Sequence, residues 1–371
     1  MIGQLLGLAV MTAGAAGAGP GAQAAGPSAD GDETAPTRQT VASKLPYHGL
    51  AIQLHPIGDP VAVYGSLIRE VADLGADTVL LSVNGYQEDI DSLIIEINPS
   101  PSEAQCLKLL KIAHGRGMRV VLMPKVLLSN PRGGTWRGKI APASWPAWFE
   151  QYERFITYFA RLAQRGQVEV LLVGSELIST ETHTKRWQEL IGKVRAIYPG
   201  KLAYSANWDH YRGIRFWKDL DLIGLTTYHN LNPSGKPHPT AADLREAWKP
   251  IREEILAWRA KIDRPLLFTE VGWCSQEGCS VEAWNYYHNE KATPAGHQEQ
   301  AANYGAFIDT WAGRPEVGGI IWWEWTAAPG GKDDYHYTPR NKPAQELLRR
   351  FFNRDRAARH SVHPAGGTIK R

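Results

Sequence analysis

Short apolar runs alternate along this chain with longer stretches in which apolar residues recur every three or four positions. The short runs predict buried parallel strands, and the longer stretches predict amphipathic helices that cover them. Eight strands are predicted in this way, at residues 49–54, 78–83, 119–126, 168–175, 202–207, 222–228, 266–270 and 318–325. Helices are predicted at residues 61–74, 103–116, 145–164, 184–197, 241–261, 298–311 and 343–352, with a weak helix around 211–218.

Eight strands that are each followed by a helical segment are typical of a (β/α)8 barrel. We therefore predict an α/β fold that consists of a single TIM-barrel domain. An open, doubly wound sheet is the alternative fold. It is disfavoured because Asp59-Pro60, and not a glycine-rich phosphate-binding turn, follows the first strand.

Both ends of the chain depart from this alternating pattern. Residues 1–24 are small and apolar and finish in a cleavage-like Ala-Gln-Ala, which predicts a signal peptide and a secreted or periplasmic protein. No Lys or Arg precedes the apolar run, so a misassigned start or a plain disordered leader is the alternative. Residues 25–44 predict a disordered linker, 45–353 the barrel and 354–371 a basic disordered tail.

Charge and aromatic content narrow the expected partners. The formal net charge is +3 and the C-terminal tail accounts for it, so the rest of the chain gives no electrostatic reason to expect nucleic acid. No segment after the leader has the roughly 18 uncharged apolar residues of a membrane helix, so no membrane insertion is expected. The 14 Trp and 14 Tyr residues supply flat rings that suit sugar faces, although such rings also fill large cores.

Two of the predicted strands run directly into a glutamate: the fourth into Glu176 and the seventh into Glu270. A carboxylate at the rim of a core is costly and is best tolerated where it has a chemical role. A single such Glu is more simply a helix N-cap or an ion-pair partner. A pair that faces one barrel mouth favours glycoside hydrolysis with retention, which uses two carboxyl groups about 5–5.5 Å apart.

Several short motifs lie at or near these strand ends. They are PK at 124–125, TWRG at 135–138, GSEL at 174–177, TEVG at 269–272, WWEW at 322–325 and YTPRNKPA at 337–344. These motifs resemble those of glycoside hydrolase family 113, whose characterised members act on β-1,4-mannan and which belongs to a clan of retaining (β/α)8 enzymes. The resemblance covers about residues 47–352.

The resemblance implies a retaining hydrolase of β-linked polysaccharide, above all β-1,4-mannan, of the endo-β-mannanase type and without a cofactor. We also expect a monomer. The resemblance makes Glu176 the general acid/base and Glu270 the nucleophile. Many clan members have Asn before the acid/base, where this chain has Ser175, so we expect Asn207 to bond the sugar 2-hydroxyl instead. An inactive sugar-binding barrel and a hydrolase of another β-glycan are the alternatives.

Further residues at the predicted mouth are candidates for substrate binding. The resemblance implies that Tyr228 donates a hydrogen bond to the nucleophile; the simpler interpretation is a core tyrosine. Side-chain alternation places Trp323 and Trp325 on the face that lines the mouth and turns Trp322 and Glu324 outward, with Trp325 as the better sugar platform.

Four other polar or aromatic residues complete the predicted binding site: Trp136, His55, Asn84 and Lys125. Trp136 is equally explained by exposed packing, and His55 and Lys125 by ion pairing with the mouth carboxylates.

The cysteines are expected to be structural. Cys274 and Cys279 are close enough in sequence to form a disulfide in an exported protein, and two reduced thiols are the alternative if residues 1–24 are not a signal peptide. Cys106 lies on an apolar helical pattern and is expected to be free. No metal site is expected, since the chain contains no CxxC pair and no HExxH helix.

Overall fold

The computed structural model describes residues 45–97 and 100–361, and of residues 355–361 it describes the backbone alone. The predicted signal peptide, at residues 1–24, and the predicted linker, at residues 25–44, lie outside the described residues. None of the helices in the described ranges has the length and apolar character that a membrane crossing requires.

The strands of the described chain form a closed parallel barrel in which each strand pairs with its neighbours in sequence and the last pairs with the first. This arrangement confirms the predicted (β/α)8 fold. The strands are β1 (Tyr47–Gln53), β2 (Thr78–Gln87), β3 (Arg119–Leu128), β4 (Val170–Ser175), β5 (Lys201–Ala206), β6 (Leu222–Thr226), β7 (Leu266–Val271) and β8 (Val317–Trp322).

Helices cover the outside of the barrel. They are α1 (Pro60–Asp73), α2 (Glu103–Gly115), α3 (Trp145–Arg165), α4 (Thr184–Ile197), α5 (Ala241–Arg259), α6 (Pro294–Trp311) and α7 (Pro343–Ser361). Local sequence determines where several of them begin: Ser102 and Gln105 form a capping box at α2, and Thr240 and Asp243 form another at α5. A cap of this kind stabilises a helix by about 1 kcal/mol.

The segment between β5 and β6 is not an α-helix, contrary to the weak helix predicted there. It contains two short 3₁₀ turns, Tyr211–Gly213 and Trp217–Asp219. Tyr211 and Trp217 are buried, and their rings lie 4.6 and 5.9 Å from that of Trp258 on α5. Packing of these rings therefore covers this side of the barrel in place of a helix.

Most of the large aromatic residues serve the core. In the layer between strands and helices, Trp322 stacks on Tyr304 with ring centroids 4.6 Å apart, and Trp187 stacks on Phe216 at 5.1 Å. The fully buried tryptophans are Trp148, Trp187, Trp217, Trp248, Trp273, Trp311 and Trp322. A high tryptophan content is thus mainly a property of this aromatic layer and only partly of the mouth.

The last helix extends further than predicted. α7 continues through Ser361, so residues 354–361, predicted to belong to a basic disordered tail, are helical. The reason is local, because this stretch is rich in Arg and Ala and contains neither Gly nor Pro. The rest of the predicted tail lies outside the described residues.

Candidate active site

Two glutamates lie at the C-terminal mouth of the barrel, the end at which this fold places its site residues. Glu176 directly follows β4, and Glu270 is the last residue but one of β7. Strand pairing is irregular beside both, with register shifts before Ser175 on β4 and around Phe268 on β7. Irregular pairing re-aims side chains at barrel rims, and both glutamates are buried, at 7% and 4% exposed.

The backbone at Glu176 is locally unusual. Its φ is +53°, in the left-handed region that non-glycine residues adopt rarely and often at functional sites. Its N–H donates to the carbonyl of Ser205 on β5 at 2.8 Å, which fixes this turn to the neighbouring strand. β4 therefore ends in a sharp turn, and the hydrogen bond to β5 fixes the backbone from which the Glu176 side chain projects.

A cation bonds the Glu176 side chain. Arg137, in a short 3₁₀ turn after β3 (Arg137–Lys139), donates from Nη2 to Glu176 Oε2 at 2.5 Å and from Nε to the Ser175 carbonyl at 3.1 Å. Burial raises the pKa of Glu176 to about 7, against the lowering effect of Arg137 and with a further rise from the charge of Glu270. Glu176 can therefore hold a proton near neutral pH and release it to a partner.

The surroundings of Glu270 are different. The hydroxyl of Tyr228, just beyond β6, donates to Glu270 Oε2 at 2.8 Å, which is the contact expected for this tyrosine. The other carboxylate oxygen, Oε1, is buried and has no hydrogen-bond partner among the described residues. The main chain is also fixed, because the Thr227 N–H and hydroxyl both donate to the Glu270 carbonyl at 3.1 Å. One oxygen is thus held while the other is available for reaction.

A family model for Glycoside Hydrolase Family 113 matches residues 64–340 of the chain. The chain belongs to glycoside hydrolase family 113. No curated protein matches it significantly.

Solved structures of the same fold agree with this assignment. A family 113 β-mannanase from Alicyclobacillus acidocaldarius, in complex with ManMIm, has a TM-score of 0.70 and 26% identity, over 82% of this chain and 96% of that one. A family 113 β-1,4-mannanase has a TM-score of 0.71 and 23% identity, over 83% of this chain and 98% of that one. An exo-β-1,4-mannosidase from Opitutaceae bacterium strain TAV5 has a TM-score of 0.56 and 14% identity, over 85% and 60%, which shows the fold alone.

Lys125 lies in the mouth of this family 113 barrel but does not bond either glutamate directly. Its Nζ donates to Gln53 Oε1 at 2.8 Å, and Gln53 Nε2 donates to Glu324 Oε2 at 2.8 Å. The ammonium also lies 4.7 Å from the ring centre of Trp323. Burial lowers the pKa of Lys125 to about 8, while the charges of Glu270 and other nearby carboxylates act in the opposite direction. Lys125 is therefore a buried cation beside the reaction centre.

The placement expected for the residues after β8 is wrong in two respects. The strand ends at Trp322, so side-chain alternation does not continue to residue 325. Glu324, predicted to point outward, belongs to the Gln53 and Lys125 network. Trp325 is only 4% exposed: its Nε1 donates to Glu70 of α1 at 3.0 Å. Trp325 is thus held against α1, and Trp323 is the tryptophan beside Lys125.

Two of the remaining predicted binding residues, His55 and Asn84, lie on the β1 side of the mouth. His55 faces Lys125, whose charge adds to the effect of burial in lowering the pKa of His55. Asn84 donates from Nδ2 to the Leu54 carbonyl at 3.3 Å, while its Oδ1 is buried without a hydrogen-bond partner in the described chain. Both residues lie near the carboxyl end of β1, and sugar binding by them stays a prediction.

Asn207 and Trp136 lie on the side of Glu176. Asn207 donates from Nδ2 to Asp209 Oδ1 at 2.8 Å, so part of its hydrogen-bonding capacity is already used. Trp136 is half-buried and its ring centre lies 5.8 Å from the guanidinium of Arg137. Their roles with a sugar also stay predictions.

The predicted disulfide is absent. Cys274 and Cys279 are both free and fully buried, and Cys106 is free and buried as expected. Each member of the predicted pair has another contact, since Cys274 Sγ donates to the Asn285 carbonyl at 3.6 Å and Asn303 Nδ2 donates to Cys279 Sγ at 3.7 Å. In the described residues no group of three or more His, Cys, Asp or Glu side chains is arranged to hold a metal ion.

Sequence reasoning missed two residues of the site, Arg137 and Gln53. Arg137 stands out in the sequence only as part of the TWRG motif, and Gln53 is a single polar residue at the end of β1. Both could have been found by the signal that reveals the glutamates, which is position in the chain. A polar residue that ends a buried strand or occupies a short βα loop of a barrel lies at the mouth.

Proposed function

We propose that this glycoside hydrolase cleaves β-1,4-mannan with retention of configuration. The observation that carries the proposal is the different treatment of the two mouth carboxylates. Glu176 is buried with a pKa raised to about 7, whereas Glu270 accepts a hydrogen bond from Tyr228 and keeps Oε1 unbonded. Two carboxyl groups in contrasting surroundings are what the acid and nucleophile roles of a retaining enzyme require.

In the first step a Glu270 oxygen attacks the anomeric carbon and the bond from that carbon to the glycosidic oxygen breaks. The proton on Glu176 passes to the departing oxygen, so the leaving sugar is released as an alcohol. In the second step Glu176, now a carboxylate, takes a proton from water as the water displaces Glu270 from the anomeric carbon. Both glutamates return to their starting states, and no cofactor enters the balance.

Mannan is the proposed substrate because two family 113 structures similar to this chain are a β-1,4-mannanase and a β-mannanase. The test is incubation of purified protein with mannan, cellulose-type glucan and xylan, with product lengths followed over time. Proton NMR of the first products should show the β-anomer before mutarotation. Initial release of the α-anomer would contradict retention, and preferential cleavage of glucan or xylan would contradict the substrate.

The same proposal includes export and a monomeric state. Polysaccharides of this kind are too large to enter a cell, and the leader at residues 1–24 has the composition of a signal peptide. Fractionation of an expressing culture tests export, since an exported protein is shortened at its N-terminus and leaves the cytoplasm. Light scattering of the purified protein tests the monomer against its 41.1 kDa mass.

A further inference from the structure

Arg137 is built into the site more tightly than a surface loop residue would be. It is 5% exposed, and its two hydrogen bonds reach both the Glu176 carboxylate and the Ser175 carbonyl. The turn that carries it is also closely packed, because a Cβ added at Gly138 would lie 2.4 Å from the Trp136 ring. The guanidinium is therefore held at a fixed place beside the end of β4.

We propose that Arg137 is a positioning residue that pairs with the Glu176 carboxylate and stabilises it each time Glu176 is ionised in the catalytic cycle. This inference rests on the proposed function, since it concerns the proton cycle of the same glutamate.

The cycle needs such a partner because Glu176 changes charge twice in each turnover. Donation of its proton to the glycosidic oxygen leaves a buried carboxylate, and abstraction of a proton from water restores the neutral acid. A buried charge without a partner is costly, whereas a guanidinium at hydrogen-bond distance stabilises it. Arg137 favours the ionised form and so works against burial, which keeps the two forms of Glu176 close in free energy.

Among the described residues, no other group that acts on Glu176 can take this part. The charged or titratable groups that influence it from the elements around it are Arg137, Lys125, Glu270, Glu181 and Tyr228. Glu270 and Glu181 are carboxyl groups and oppose ionisation of a further one. The Lys125 ammonium donates a hydrogen bond to Gln53, and the Tyr228 hydroxyl donates one to Glu270. Arg137 is the cation that bonds Glu176 directly, in a low-dielectric setting where a charge pair is strong.

Three arginine variants test the proposal. Arg137→Met removes the charge at similar length, and Arg137→Lys keeps it. Arg132→Met is the matched control: Arg132 lies in the same loop, but its ion pairs are with Asp89 at 2.6 Å and Asp91 at 2.8 Å and not with Glu176. If Arg137→Met does not fold, as judged by circular dichroism, Arg137→Gln replaces it.

Two pH profiles report the ionisation of Glu176, one through loss of its proton and the other through formation of its carboxylate. The basic limb of kcat/KM on mannan oligosaccharides follows loss of the Glu176 proton. The acid limb of kcat on an aryl β-mannoside with a good leaving group, limited by the second step, follows formation of the Glu176 carboxylate. Arg137→Met should move both limbs upward by about one pH unit or more, which is the usual effect of removing an adjacent opposite charge. Arg137→Lys should move them less, and Arg132→Met should leave them in place.

Lower rates with both limbs unmoved in Arg137→Met would overturn the proposal, because that is the result of a merely structural role. Equal limb shifts in Arg132→Met would overturn it as well. Failure of the proposed function gives a different result: the wild-type protein would neither cleave mannan nor be trapped as a covalent adduct by a 2-deoxy-2-fluoro-β-mannosyl fluoride.

Discussion

The ends of β4 and β7 carry the same residue type in opposite kinds of surroundings. At the end of β4, Glu176 is bonded by a guanidinium, that of Arg137, at 2.5 Å. At the end of β7, Glu270 is bonded by a neutral hydroxyl, that of Tyr228, at 2.8 Å, and its second oxygen is free of protein partners in the described chain. The Glu176 carboxylate is thus paired with a cation. The Glu270 carboxylate has one hydrogen-bonded oxygen and one oxygen without a partner in the described chain.

This difference shows how one barrel gives two glutamates two roles. A group that must pick up and release a proton needs its two charge states to be close in free energy, and burial against a nearby cation achieves this for Glu176. A nucleophile needs an unbonded lone pair and a fixed direction. The single hydrogen bond from Tyr228 fixes the Glu270 carboxylate and leaves Oε1 without a hydrogen-bond partner in the described chain. Substitutions at each of these contacts test this difference.

Removal of the nucleophile should have the largest effect. Glu270→Ala is expected to lower kcat/KM on mannan oligosaccharides by at least about 10⁴-fold, since no covalent intermediate can form. Thermal unfolding should stay close to that of the wild type, because the side chain lies at the rim. Glu282→Ala, in the loop after β7, is the control and should retain activity. A Glu270→Ala protein that keeps turnover would remove Glu270 from its role.

Loss of the acid/base should be smaller and should depend on the substrate. Glu176→Ala is expected to lower kcat/KM on mannan oligosaccharides by about 10²- to 10⁴-fold, the usual contribution of general acid–base catalysis. Aryl mannosides with good leaving groups need no protonation and should lose much less in the first step. Azide should restore turnover of these substrates and give a β-mannosyl azide. Equal losses on both substrate classes, with no azide effect, would contradict the assignment.

The hydroxyl of Tyr228 should contribute less than either glutamate. Tyr228→Phe removes a hydrogen bond to a charged group, which is worth about 1.5–3 kcal/mol, so kcat should fall about 10- to 100-fold. The phenyl ring keeps its place among the buried aromatics, so the melting temperature should change little. Steady-state kinetics on oligosaccharides give the measurement, and a kcat within twofold of the wild type would show that Glu270 does not depend on this contact.

The wild-type pH profile should show Glu176 on its basic side. The pKa of Glu176 is raised to about 7, and the first step needs its protonated form, so kcat/KM on oligosaccharides should fall about tenfold per pH unit above about 7. Activated aryl mannosides should lack this limb, because their leaving groups need no proton. If both substrates show a basic limb at the same pH, the limb reports the ionisation of a group other than Glu176.

The fold was predictable because its signal is periodic and local. Apolar runs and amphipathic stretches give the eight strands and most of the helices, and each helix cap lies within a few residues of its helix. The exception is the segment after β5, where the rings of Tyr211 and Trp217 pack against Trp258 of a later helix. That packing is a tertiary contact, and local periodicity carries no record of it.

The site was predictable only as far as strand ends reveal it. Glu176 and Glu270 stand out because each interrupts an apolar run, whereas the partners that distinguish them come from other strands and loops. Arg137 is 39 residues from Glu176, and Tyr228 is 42 from Glu270. Trp325 was misplaced for the same reason, since its Nε1 bonds Glu70, which is 255 residues away. Such pairings are decided by the closure of the barrel.

The smallest effect is expected from a substitution of Thr226, the last residue of β6, which should change the surroundings of Glu176 and not those of Glu270. The Thr226 hydroxyl donates to Asn207 Oδ1 at 3.5 Å, accepts from the Trp208 N–H at 3.1 Å and lowers the pKa of the neighbouring Glu176. Thr226→Val keeps the shape and removes the hydroxyl, so the pKa of Glu176 should rise and the basic limb of kcat/KM should move upward. The shift should be smaller than that of Arg137→Met, because a neutral donor stabilises a carboxylate less than an adjacent cation does. Thr226→Ser retains the hydroxyl and is the matched control, with its limb at the wild-type position. A downward shift in Thr226→Val, or the same shift in Thr226→Ser, would show that the hydroxyl does not act on Glu176.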